Sequence, residues 1–414
     1  MDFNLPSELQ EYIAKLDGFI EGTIMPLQHA DDNNRFFDHR REPSRTQWDN
    51  EGLPTPEWES LLTQARNLAD KAGFYRFPIP KEYGGQGHQD ANLWMCAMRY
   101  HMASHAVYGG GWGSEKQKAE FIPARLRGEF RVTFGLTEIH HGSDATHMDT
   151  RAVRCKLPDG SPGWSIQGNK KWQTGAHSAT HMLIFARTSN FDKPGSAKGI
   201  SAFIVPRETP GMLIKSYEYT LNMPTDHATI LLEAVRVPEH AVLGELDNGL
   251  AIAQTFTSEN RIRQAASSCG AAKFCTDRSV RYARERTVFG KPLASNQAIQ
   301  WPLVELATQV EMLRLLILRT ATEMDEIQKR YGPGIVTQDI PPWVAIEREL
   351  GHKISMCNFW ANRLATQAAD QAIQVHGGNG YSRHQPFEHI WRHFRRYRIT
   401  EGSEEVQKRR PCPV

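Results

Sequence analysis

The chain has 414 residues, 40% apolar and 23% charged, with a formal net charge of +2. That length exceeds one ordinary hydrophobic core, so roughly two or three domains are expected, and the composition is that of a folded chain rather than a disordered one. Near-neutrality gives the whole chain no pull toward nucleic acid or an anionic membrane, so such a partner must be met by a local patch.

The first 20 residues, MDFNLPSELQEYIAKLDGFI, carry early acids and lack a basic stretch ahead of an apolar one. They read against a secretory or mitochondrial leader. No uncharged apolar run of about 18 residues occurs, so no membrane span is expected. The terminal CPV matches no common address, and a cytoplasmic enzyme is the expectation. From Ser7, a candidate N-cap with Glu11 one turn on, apolar residues recur at helical spacing. Residues 28–55 are polar and turn-rich, a surface insertion. Helical spacing resumes in EWESLLTQARNLADKAGFY, breaks at PIPKEYGGQG and returns in ANLWMCAMRYHMASHAV.

From residue 131 the pattern changes to short β-branched and aromatic runs: RVTFGLT, WSIQGNKKWQT, HMLIFART, GISAFIVP and ATILLEAVRVP. These predict a barrel or sandwich of antiparallel strands. After 240 the chain is helical again, with Leu303, Leu306, Val310, Leu313, Leu316 and Ile317 forming a wide apolar stripe. A second break falls at RYGPGIVTQDIPP, and Gly377-Gly378 is a plausible helix stop. The fold class expected is α+β, mainly α. An N-terminal α-helical domain (1–130) is followed by a middle antiparallel β-domain (131–240) and a C-terminal four-helix bundle (241–414).

Six cysteines, Cys96, Cys155, Cys269, Cys275, Cys357 and Cys412, contain no CxxC pair. They fit incidental thiols of a reducing compartment rather than a disulfide framework or a zinc site. The adjacent His140-His141 would point apart in a strand, so no metal is expected.

Five short stretches carry candidate chemistry. TFGLTEIHHGSDATHMDTRAV sets Thr137 and Ser143 around a turn with Glu138, His140, His141 and Asp144, which by itself reads as a polar hairpin turn. In GNKKWQTGA, Trp172 and Thr174 fall on one face of a strand, an aromatic plate beside a hydroxyl. RERTVFGKPLASNQ puts Arg286 and Phe289 before a glycine turn and Gln297 at a helix start, an arrangement suited to an anionic group. In QAIQVHGGNGY, Gln374 and the glycine pair allow close backbone approach to a ligand, without the strand-first context of a dinucleotide fingerprint. The fifth is RRYRITEGSEEVQKRR, whose acids read first as a solvated, ion-paired surface.

In this order, and over nearly the whole chain, these stretches resemble the acyl-CoA dehydrogenase family. AGFYRFPIPKEYGGQG is similar to its N-terminal domain junction. The resemblance implies FAD bound at a subunit interface of a homodimer or homotetramer, an acyl-CoA substrate and an electron-transfer flavoprotein as acceptor. It implies that Phe134, Thr137, Trp172, Thr174 and Ser403 contact the flavin, and that Ser143 lies near both flavin and substrate. Arg286, Phe289, Gln297, Gln374, Gly377 and Gly378 match residues that reach the FAD of a neighbouring subunit. Arg261 matches an arginine near the acyl-CoA, and Gly402 a glycine beside the substrate. Glu401 matches the catalytic base, which takes the α-proton while the β-hydrogen leaves as hydride to the flavin.

Some members carry the base on an earlier helix, where this chain has Asn260 with Glu259 next to it. Three departures stand out: Ile139-His140-His141 in the flavin turn, Ser403 in place of a threonine, and Arg392-His393 in place of an arginine–aspartate pair. The 28–55 insertion points toward a long or unusual acyl group. Competing readings are an oxidase or biosynthetic desaturase, and a DNA-binding flavoprotein relative using RHFRRYR and QKRR as its patch.

Overall fold

The computed structural model describes residues 4–77, 81, 84–88, 90–104, 124, 129–221, 226–331 and 342–409. Cys412, the terminal CPV, most of the RYGPGIVTQDIPP break and part of the PIPKEYGGQG loop lie outside the described residues. The chain divides into two compact units. One comprises Met1–Ser44, Pro56–Gly110 and Thr257–Val414, and the other Arg45–Thr55 and Gly111–Phe256. The first and last helical segments, expected as separate domains, thus share one unit.

The helical unit contains α1 (Ser7–Phe19), α2 (Pro56–Lys71), α3 (Ala91–Ser104), α4 (Gly249–Glu285, from Thr257 on), α5 (Gln297–Arg330), α6 (Pro342–His376), α7 (Phe387–Arg395) and α8 (Glu404–Lys408). The expected stripe on α5 is buried at Leu303, Leu306, Val310, Leu313 and Ile317, with Leu316 packed at its margin. Neither helical segment can bury its apolar face alone. Cys96 of α3 joins the core of α4, α5 and α6, and Leu318 of α5 packs against the Leu9, Trp94 and Met98 cluster. The start of α3 is capped across the chain: the Asp325 carboxylate accepts hydrogen bonds from the Asn92 and Leu93 amides, each 2.9 Å. Pro6, not Ser7, is the N-cap of α1, with no side-chain hydrogen bond. No described helix is long and apolar enough to cross a membrane.

The other unit is built on an eight-stranded sheet in the order β10-β7-β6-β4-β5-β9-β8, with β3 added beside β6. The strands are β3 (Val132–Gly135), β4 (Arg151–Lys156), β5 (Pro162–Thr174), β6 (His181–Arg187), β7 (Ile200–Pro206), β8 (Met212–Tyr217), β9 (His227–Pro238) and β10 (Val242–Leu243). The sheet is mixed rather than purely antiparallel, because β3 runs parallel to β6 and β4 meets β6 in a parallel pairing. Five strands follow the predicted runs. Of the others, β4 escaped because it is largely exposed and its sequence RAVRCK lacks clean alternation, and β10 because it is only two residues long. Part of the 28–55 insertion is structured. A two-strand hairpin, β1 (Thr46–Gln47) with β2 (Leu53–Pro54), belongs to this unit, and Phe36, Arg45 and Thr46 are buried.

Candidate active site

Glu401 and Gly402 are consecutive left-handed residues, with φ of 58° and 84°. For a glutamate this backbone is unfavourable and persists only where its surroundings hold it. Three contacts do so. The Arg261 guanidinium donates from Nε to the Glu401 carbonyl at 2.8 Å, and Gln407 donates from Nε2 to the Gly402 carbonyl at 2.5 Å. Ser403 then caps α8, accepting from the Val406 amide at 3.5 Å. A side chain at 402 would be strained, on left-handed backbone with its Cβ 3.0 Å from the Arg261 guanidinium.

The Glu401 carboxyl faces Asn260 Nδ2 at 3.4 Å and Gln264 Nε2 at 3.5 Å, both long contacts. Burial pushes its pKa up to about 7, against the charges of Arg261 and Arg396 and the Asn260 contact. Glu259 is otherwise engaged, in an ion pair with Arg263 one turn along α4. Asn260 thus contributes a donor toward Glu401 rather than a base of its own. Among the described residues, nothing accepts the Glu401 amide N–H.

Of the other acids of this stretch, Glu405 is exposed and Glu404 is buried in an ion-paired cluster. Burial alone would raise Glu404, but hydrogen bonds from Arg398 and Arg363 overcome it and hold the carboxyl at about 2. Their distances are 3.1 and 3.0 Å. Arg392 pairs with Glu388 at 2.8 Å, and Arg396 lies over the Tyr397 ring. Much of the basic run is therefore engaged within the fold.

In the sheet unit, Thr137, Ser143, Trp172 and Thr174 gather at the turn after β3 and the end of β5. Two residues of β5, Lys171 and Trp172, oppose Thr229 alone on β9, since Lys170 pairs with Ile230 and Gln173 with Ala228. This bulge gives Trp172 a φ of 63° and leaves its ring exposed, with Gln173 buried between it and the exposed Thr174. The Thr137 carbonyl accepts from the Lys171 amide at 2.9 Å, so turn and bulge are tied together. Beneath them lies an ion pair that sequence reading missed. Lys170 donates to Glu138 at 2.8 Å with both side chains fully buried, and Glu138 also accepts from the Asp149 and Thr150 amides at 2.6 and 2.9 Å. Phe134 is engaged internally, its ring stacked on Phe256 at 4.3 Å and beside Phe185. Ser143 is exposed.

The remaining residues sit at the far end of the helical unit. Tyr282, one turn before Arg286, stacks on His376 at 4.2 Å, next to Gly377. Ala283, Leu303 and Val375 close the cluster beneath the start of α5. Arg286, Phe289, Gln297, Gln374, Gly377 and Gly378 are thereby brought to one end, all exposed. Gly377 ends α6 with a φ of 58°, and Asn296 caps α5 by accepting from the Ala298 amide at 3.0 Å. Twenty-one residues of α4 separate Arg261 from Tyr282, about 30 Å of helix.

Trp172 and Phe289 are both large rings held outward on left-handed backbone, with φ of 63° and 49°. That is a costly arrangement for a solvated surface, and it suits a flat conjugated ligand such as a flavin nucleotide. In the sheet unit Thr137 and Thr174 place polar groups near Trp172, and in the helical unit Arg286 and the Gly377-Gly378 turn form an end suited to an anionic group.

Residues 133–235 match the family model for the acyl-CoA dehydrogenase middle domain, and residues 247–410 that for the acyl-CoA dehydrogenase C-terminal domain. The chain is 28% identical over 430 residues to a glutaryl-CoA dehydrogenase of Desulfococcus multivorans, covering 99% of this chain and 96% of the relative. It is 31% identical over 353 residues to a 3-(aryl)acrylate reductase of Clostridium sporogenes, covering 81% and 85%. A solved glutaryl-coenzyme A dehydrogenase in complex with glutaryl-CoA superimposes with a TM-score of 0.77 at 26% identity, covering 99% of this chain and 95% of that one. With the five motifs in register on this fold, the chain belongs to the acyl-CoA dehydrogenase family of FAD-dependent oxidoreductases.

Proposed function

We propose that this protein converts an acyl-CoA thioester to its trans-2-enoyl-CoA, with Glu401 as the base that takes the α-proton. The observation that carries the reading is the half-buried Glu401 carboxyl, held by Arg261 on left-handed backbone with long amide contacts at its oxygen, and pushed up to about 7. An α C–H beside a thioester is weakly acidic, so the base must be as strong as a carboxylate allows yet ionised near neutrality. Bound FAD supplies the acceptor for the β-hydride. As the α-proton leaves, negative charge accumulates on the thioester oxygen until the β-hydride departs, and the Glu401 amide N–H is a donor free to meet it. Arg261 holds the carbonyl of the same residue, so base and donor are positioned together.

The roughly 30 Å of α4 between the Glu401 contacts and the Arg286 end supports two subunits sharing cofactors, each using its own base and its neighbour's Arg286 and glycine turn. On α5, Trp301, Val304, Met312 and Leu315 share one exposed face, an apolar strip that fits association of copies into a dimer or tetramer. Electrons leave to an electron-transfer flavoprotein or a similar acceptor, in the cytoplasm. The DNA-binding reading is weakened because Arg392 and Arg398 are spent on Glu388 and Glu404.

Anaerobic mixing of the flavin-loaded protein with acyl-CoAs of varied chain, including butyryl-CoA and glutaryl-CoA, tests the reading. One of them bleaches the flavin, and Glu401→Gln slows bleaching by about 10²–10⁴-fold. If none does so and duplex DNA binds tightly in moderate salt, the reading is wrong.

A further inference from the structure

The core between α4 and α6 is lined by small apolar residues, among them Ala265, Ala361, Ala368 and Ala369. Two fully buried asparagines, Asn358 and Asn362, interrupt it one turn apart on α6. Asn362 donates from Nδ2 to the Tyr397 carbonyl at 2.8 Å and to Asn358 Oδ1 at 3.0 Å, while its Oδ1 accepts from the Ser268 hydroxyl at 2.6 Å. Asn358 donates from Nδ2 to the Arg261 carbonyl at 2.7 Å and to Gln264 Oε1 at 3.4 Å. Gln264 in turn presents Nε2 to Glu401 Oε1 at 3.5 Å.

The direction of this chain follows from chemistry. The Tyr397 and Arg261 groups are backbone carbonyls, which can only accept, so the end of each asparagine that meets them must be the NH2. With Asn358 oriented in this way, its second N–H meets Gln264, which must answer with its oxygen. Gln264 is left with its NH2 toward the carboxyl.

We infer that Asn358 and Asn362 are positioning residues that, through Gln264, set the polarity presented to Glu401 and hold the 397–402 turn against α4. The catalytic significance of this relay rests on the proposed role of Glu401 as base; the relay itself does not. Without Asn358 the Gln264 amide is free to turn its oxygen to the protonated carboxyl and accept from its O–H, which favours the neutral form. The charged groups facing the carboxyl are Arg261 of α4, whose backbone carbonyl anchors Asn358 while its guanidinium stays outside the relay, and Arg396 of the turn; Arg363 of α6 is engaged by Glu404.

The test is a ¹³C NMR titration of flavin-loaded protein labelled at glutamate Cδ. The Glu401 resonance is identified by its absence from Glu401→Gln. In Asn358→Leu its midpoint rises by about half to one pH unit above that of the unsubstituted protein. Gln264→Leu, which cuts the last link at a half-buried position, also raises it, and the double variant rises no further than the larger single shift. A midpoint unchanged in Asn358→Leu or Gln264→Leu, or single shifts that add in the double variant, overturns the relay. Because the readout needs no turnover, a failed relay is distinguishable from a failed base: the latter shows as unimpaired flavin bleaching by Glu401→Gln.

Discussion

Glu138 in the sheet unit and Glu401 in the helical unit are the same side chain drawn away from water, with opposite results. Burial would raise both. At Glu138 it is outweighed by the charge and hydrogen bond of Lys170 and by bonds from Thr150 and the Asp149 amide, and the carboxyl is held below its ordinary value. At Glu401 the opposition is weaker. Arg261 spends its Nε on the backbone carbonyl, the amide contacts are long, and the carboxyl is pushed up to about 7. Compensation, more than burial, separates a structural ion from a base.

The largest expected effect is on chemistry. Glu401→Gln slows flavin bleaching by about 10²–10⁴-fold, while Glu138→Gln leaves bleaching per folded, flavin-loaded molecule much closer to wild type. For stability the order reverses. Glu138→Gln strands the buried Lys170 charge and costs about 3–5 kcal/mol in urea unfolding, and adding Lys170→Met recovers part of the loss. A neutral Glu138→Gln would break the comparison.

Glu401→Gln has the opposite sign. The Glu401 pKa is raised on folding from 4.5 to about 7, so the proton is bound more tightly in the folded state and its contribution to stability falls as pH rises through that window. Glu401→Gln should therefore stabilise at pH 8 by up to roughly 3 kcal/mol and have little effect at pH 4. Equal effects at both pH values would remove the carboxyl from the explanation. In the active enzyme, kcat/KM should climb through a limb near 7, because the ionised form is the base.

Glu404, a structural ion inside the functional stretch, gives the smallest effect. Its pKa falls from 4.5 to about 2 on folding, so its contribution is present above 4.5 and lost as pH falls toward 2. Glu404→Gln should cost about 2 kcal/mol at pH 7, discounted for partly exposed arginines, and little near pH 2.

Much of this was legible in the chain alone. The α5 stripe, five of the strands and the helix stop at Gly377 follow from period and turn chemistry. The parallel seat of β3, the Trp172 bulge and the joining of the first helices to the last were not legible. Each depends on partners far away in sequence: β6 for β3, β9 for Trp172, Asp325 for α3. The CNFWANRLA segment did carry a signal, two asparagines one turn apart on an apolar helix face, and buried amides without partners would be costly.

The sequence by itself determined the order of helical and β-rich segments, the residues available for chemistry and the family to which they are similar. Hydrophobic period and local turn preferences act over a few residues, and motifs are carried in chain order. Tertiary structure alone decided which acid is held ionised by its partners and which has its pKa pushed up. A carboxyl's charge state is a balance of desolvation against partners, and those partners came from Lys170, 32 residues from Glu138, and from Arg261, 140 residues from Glu401.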